Sequence, residues 1–166
     1  MHPFLAILVL AVGTSTVLPK SAIVIDAKED VVGETVGNIQ VTFTDGHKEK
    51  WTKLGKSMLP KVSASGLVGW AKYEVLGYRD YPVFDEIRIV WPDGHHRDFE
   101  STDSFIEAWD FVDNDSAIII KSREGHGAPD FLKYDISTGK ELAHVDGWAP
   151  GSLQSLPDWA KPYEDH

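Results

Sequence analysis

The sequence predicts an all-β chain built from tandem antiparallel units, and three observations predict it. First, apolar residues alternate with polar ones in three stretches: Ile39, Val41, Phe43; Ile87, Ile89, Trp91; and Leu132, Tyr134, Ile136. A period of two marks a strand with one buried face. Second, each stretch runs into a glycine turn, at Gly46, Gly94 and Gly139, spaced 48 and 45 residues apart. The first two turns nearly repeat each other, "FTDGHKEKW" against "WPDGHHRDF". Third, a further hairpin follows each of those two, turning at Ser65-Gly66 and at Asn114-Asp115, 49 residues apart. One unit is therefore about four short strands in 45 to 49 residues, the size of a β-propeller blade. The chain holds two and a half to three such blades, whereas closed rings typically use about 4–8. The expectation is an incomplete propeller, with a β-sandwich as the alternative.

The chain opens with "MHPFLAILVLAVGTSTVLPKSAIVID". Phe4 to Val12 is an apolar run of signal-peptide length, short of the roughly 20 residues of a membrane span. Residues 1–22 are read as a signal peptide, cut between about residues 16 and 23. The mature chain then has no membrane span and is periplasmic or secreted. Cysteine is absent, which removes disulfides, thiolate metal sites and a cysteine nucleophile, and fits a bacterial periplasm. "AIVID" at 22–26 is expected to lend a strand to the last unit.

Turn chemistry sets the register. A two-residue Asp-Gly loop would place lysines opposite Phe43 and Val41 on the apolar face. A three-residue loop, type I with glycine left-handed, instead sets Ile39 opposite Trp51, Ile87 opposite Phe99 and Tyr134 opposite Leu142. The longer loop is therefore expected. "STDSFIEAW" at 101–109 could cap a helical turn, but its apolar pattern is too short, so it reads as a loop entering a strand. Residues 23–146 form the repeat domain. The tail from 147 to 166 is a strap carrying Trp148 and Trp159, expected to pack over the last unit.

In "DG…W…LPKVSASGLVGW", Pro60, Ser63 and Gly66 fall on the second motif of the TolB-type, WD-repeat-like propeller blade, which the chain resembles over about residues 37 to 146. Ala64 and Ser65 stand where that blade usually has Pro and Asp. "FVDNDSAIII" keeps the turn but lacks the flanking Pro and Gly, and "LKYDISTGKEL" looks like a third blade's strand and turn. The resemblance implies a fold and is nearly silent on function.

The formal charge of −10 argues against nucleic acid and anionic membrane surfaces as partners. The charge is uneven. Residues 46–73 carry six lysines against one acid, and residues 80–115 carry eleven acids against two arginines. Beyond solvation of loop faces, this pattern suits a protein partner or self-association as a homodimer, with the basic unit of one copy meeting the acidic unit of another.

Chemical motifs are sparse. His95 and His96 are adjacent on a strand, so they point to opposite faces and cannot share a metal undistorted. His47 occupies the equivalent place in the first unit, which points to a structural role at the turn. Asp113, Asn114 and Asp115 lack the glycine and distal glutamate of a calcium loop. His126, in "REGHGAP", lies in a glycine-flanked loop with Asp130 nearby, but no GxSxG elbow accompanies it. His126, Asp130 and His95 are the candidate ligand-binding residues; no catalytic residue, metal or cofactor is implied. Trp51, Trp70 and Trp91 are read as packing between blades rather than as a ligand platform. The expected function is an exported, non-enzymatic protein-interaction module. The alternative is a small-ligand binder or hydrolase-like enzyme using the His126 loop.

Overall fold

The computed structural model describes residues 17–30, 33–76 and 81–164. The apolar run Phe4–Val12 lies outside the described residues. Among the described residues the chain is all-β: eleven strands join in one mixed sheet that does not close on itself.

The strands group into three meanders. The first holds β1 (Pro19–Glu29), β2 (Thr35–Phe43) and β3 (Lys48–Lys50). The second holds β4 (Ser57–Val62), β5 (Val68–Leu76), β6 (Tyr81–Val90) and β7 (His96–Glu100). The third holds β8 (Phe105–Val112), β9 (Ala117–Arg123), β10 (Asp130–Asp135) and β11 (Glu141–Val145). Within each meander every pairing is antiparallel. The meanders touch through single bridges at matching places, Gly37 to Ser57 and Phe84 to Phe105.

Strand alternation divides the side chains among separate cores. On β5, Val68 and Trp70 pack with Ile39 and Val41 of the first meander, while Ala71 and Tyr73 enter a second core with Ile87 and Ile89. That second core continues into the third meander through Trp109, Ile118, Ile120 and Leu132. On β10, Leu132 faces this core and Phe131 faces the opposite way, onto Leu156 and Ala160 of the tail. Trp51 and Phe99 thus hold corresponding places in successive cores, the first half-buried and the second buried.

Equivalent residues of the second and third meanders also meet. Trp109 Nε1 donates to the Leu59 carbonyl at 2.8 Å, Lys61 pairs with Asp110 at 2.9 Å, and the Ser65 amide donates to Asp115 at 2.7 Å. The basic and acidic stretches therefore meet within one chain at these points.

The register follows the three-residue loop in two hairpins. Ile87 lies opposite Phe99, and the Trp51 amide donates to the Ile39 carbonyl. In each turn the N–H of the first residue bonds the carbonyl of the fifth, and the glycine N–H bonds the first carbonyl: Phe43 with His47, Trp91 with His95. Ser63 and Leu67 repeat the arrangement. Gly46, Gly66 and Gly94 sit at φ +89°, +85° and +88°, which only glycine adopts without strain.

Two expectations are corrected. Tyr134 lies opposite Glu141, not Leu142, because a bulge shifts the third hairpin. The Asp135 carboxylate accepts from Ser137 Oγ, the Thr138 amide and Thr138 Oγ1, which widens the turn and leaves Leu142 51% exposed. "AIVID" belongs to β1, which pairs with β2 of the first meander rather than with the last unit. A local hairpin joins them, with the Glu34 amide donating to Asp30 Oδ1 at 2.7 Å. β1 also runs through position 22, where the signal segment was expected to end.

Candidate functional site

A cleft of about 670 Å³ opens where the first meander meets the second. Its walls come from β3, the loop 51–56, β5, β6 and the turn at Gly94. Trp51, Trp70 and Trp91 converge on it. The sequence reading placed these three in packing alone. Each does pack against a core, but Trp51 and Trp91 are only half-buried, so they also present ring surface to the opening.

The repeated turn explains how one of these rings is held. The His95 imidazole stacks on Trp91, with centroids 4.1 Å apart and planes at 19°. Asp93 anchors His95 twice, accepting from its amide at 3.1 Å and contacting its Nδ1. In the first copy His47 stacks on Phe43 at 4.2 Å and 7°, with Asp45 in the same role. Asp45 raises the His47 pKa through that hydrogen bond, against the opposing effect of burial. The shared "DGH" is thus a device that fixes an aromatic ring at the strand end. His95 serves this device and does not line the cleft, whereas His96, on the opposite face of the strand, does.

The cleft is cationic on a chain of net charge −10. Lys50, Lys53, Lys56, Lys72 and Arg88 line it against the carboxylates of Glu49 and Glu74. Three of the cations are tied down. Lys50 pairs with Asp26 at 2.5 Å and Lys72 with Glu86 at 2.5 Å. Arg88 forks onto Asp98 through Nε at 2.7 Å and Nη2 at 2.6 Å. Burial works to raise the Asp98 pKa, but Arg88, Glu86 and Lys72 together hold it at about 2. Burial and the nearby Asp98 push the Glu86 carboxyl up, so Glu86 takes a proton first of the pair. Lys53 and Lys56 are exposed and make no ion pair among the described residues. Leu54, between them, is 83% exposed.

The three residues nominated from the sequence do not come together. His126 lies on the exposed loop between β9 and β10 and lines a second cleft, of about 440 Å³. Its other walls include Leu59, Phe84, Phe105, Glu107 and Arg123, and Asp130 is not among them. The Asp130 carboxylate is engaged in holding the chain together. It accepts from Thr102 Oγ1 at 2.8 Å and the Gly147 amide at 2.8 Å, and pairs with His144 Nε2 at 3.1 Å. Asp130 therefore clasps the start of the tail. The tail then packs Leu156 and Ala160 on Phe131, with Trp159 alongside, while Trp148 stays 69% exposed and lies across Gly127.

The missed signal was the interleaving of Trp51 and Trp70 with the six lysines of residues 46–73. Among the described residues no helix is long and apolar enough to cross a membrane. No protein-family model matches the chain, and comparison with curated proteins finds no match.

Proposed function

We propose that the protein is an exported, non-enzymatic interaction module made of propeller-like blades, and that it binds its partner in the Trp51–Trp70–Trp91 cleft. The convergence of three indoles with Lys53 and Lys56, which make no ion pair among the described residues, carries this reading. Aromatic faces supply contact area at low entropic cost, and a few charged groups supply orientation. Trp51 and Trp91 keep part of their ring surface for an open cleft of ligand size, while Trp70 backs it from the core. The repeat reading draws on the three meanders and on contacts between residues about one repeat apart; the TolB-like identity of the repeats rests on the sequence motifs alone. Export rests on the apolar leader. Because the Leu18 carbonyl accepts from the Thr44 amide, its own amide donates to Thr44 Oγ1, and its side chain packs on Gly66, the reading places processing before Leu18, so that β1 stays whole.

The test is a tryptophan-fluorescence screen of peptides, oligosaccharides and nucleotides. The expected result is a saturable change for one class that Trp91→Ala removes while the far-ultraviolet spectrum is kept. A ligand bound equally well by Trp91→Ala would refute the cleft.

A second reading keeps the His126 loop as a small-ligand site. Its support is the cleft that joins His126 to Glu107 and Arg123 beside apolar walls. His126→Ala would then abolish binding with the melting temperature unchanged.

A further inference from the structure

The geometry points to an extended acidic peptide segment as the occupant of the tryptophan cleft, added as a strand against β3. This rests on the cleft being the binding site, and it adds the class of partner. β3 pairs with β2 along one edge, and among the described residues no strand pairs with the other. Glu49 and Lys50 of β3 also line the cleft. An unpaired strand edge beside a groove is the arrangement that captures extended peptides: main-chain hydrogen bonds give affinity, and alternate side chains enter the groove.

The charge of the groove selects the side chains. Lys53 and Lys56, both exposed, are the cations left to meet carboxylates, since Lys50, Lys72 and Arg88 already hold acids of this chain. Trp51 and Trp91 would take an apolar or aromatic residue between the acidic ones. On a chain of net charge −10 the cleft's lining carries five cations against two carboxylates, so an anionic segment is repelled less here than by the chain's average charge. An anionic saccharide would use the same lysines and rings but would gain nothing from the strand edge. That difference favours a peptide and also supplies the test.

Binding of a labelled peptide alternating glutamate with tyrosine and valine is measured by fluorescence anisotropy on the full chain, at low and physiological salt. Three results are expected. The peptide binds, and more weakly as salt rises. Lys53→Glu with Lys56→Glu weakens binding at least about tenfold, as reversal of two close charge pairs should, while the melting temperature stays within the range of exposed substitutions. The same peptide, N-methylated at alternate amides, loses binding with its charge unchanged. Equal binding of the N-methylated peptide would overturn strand addition. Binding of a sulfated oligosaccharide without the peptide would overturn the partner class. If the peptide fails but another ligand gives a saturable change lost in Trp91→Ala, this inference falls and the proposed function stands. If no ligand responds to Trp91→Ala, both fall.

Discussion

The imidazole of His95 lies on the indole of Trp91, 4.1 Å between centroids, and Asp93 holds it there from the same turn. The histidine is thereby a positioning residue for a cleft it does not line. His95→Ala should lower stability by about 0.5–1.5 kcal/mol, the size of one aromatic pair. It should also weaken ligand binding several-fold, with a changed near-ultraviolet signal from Trp91. His95→Tyr, which keeps a ring to stack, should restore most of the binding. If the ligand affinity is untouched by His95→Ala, the turn has no part in the cleft.

The equivalent His47 gives the protein a pH dependence of definite sign. Its hydrogen bond to Asp45 raises its pKa in the folded chain above the unfolded value of about 6.5. The stabilisation is therefore fully present below that unfolded value and is lost as pH rises through the folded one. The Asp45 pKa is lowered by its bonds to His47, so its contribution is present above the usual carboxylate value and lost as pH falls through the folded one. Urea midpoints measured from pH 6 to pH 8 should fall in the wild type and fall less in His47→Gln. Parallel slopes for the two proteins would contradict this assignment.

Gly69 lies where β5 of the second meander packs closely on Trp109 of the third. A Cβ there would overlap the Trp109 ring and come within 2.5 Å of Ile89 Cδ1. Trp109 cannot retreat, because it is 1% exposed and its Nε1 donates to the Leu59 carbonyl. Gly69→Ala should cost about 1–3 kcal/mol, the usual penalty of overpacking. Denaturant unfolding measures it directly, and a neutral result would mean the meanders are free to slide apart.

Asp130 separates a structural from a ligand-binding role. Removing its carboxylate by Asp130→Ala leaves Thr102, His144 and the Gly147 amide without their acceptor. The expected cost is about 2–4 kcal/mol, as for loss of a buried charged hydrogen-bond hub. Amide exchange should rise in residues 147–164 as the tail loosens from Phe131. Binding at the tryptophan cleft should persist in whatever fraction remains folded. Loss of binding with the tail still protected would return Asp130 to the ligand site.

The parts of the fold legible in the sequence were those set by local chemistry. Apolar alternation located the strands. The wish to keep Trp51 and Phe99 on the apolar face chose the loop length, and the hairpins agree. The third turn escaped because the same rule ignores side-chain capture: Asp135 bonds Ser137 and Thr138, and the turn widens. The placement of β1 escaped because apolar pattern says that a segment is a strand, not which neighbour it takes; the short link from β1 to β2 decided that. The cleft was the least legible part. Trp51, Trp70 and Trp91 carry the same period as core residues, and only the meeting of two meanders leaves part of their surface uncovered. His126 and Asp130 are close in sequence, yet the start of β10 turns Asp130 toward Gly147 instead.

The most direct measurement is a titration followed through the indole N–H resonances of the six tryptophans. With the acidic strand-forming peptide, the signals of Trp51, Trp70 and Trp91 should move together and saturate at one stoichiometric equivalent, while those of Trp109, Trp148 and Trp159 stay in place. Movement confined to Trp148, beside the His126 loop, or no movement in the three cleft indoles with any ligand bound, would contradict the account.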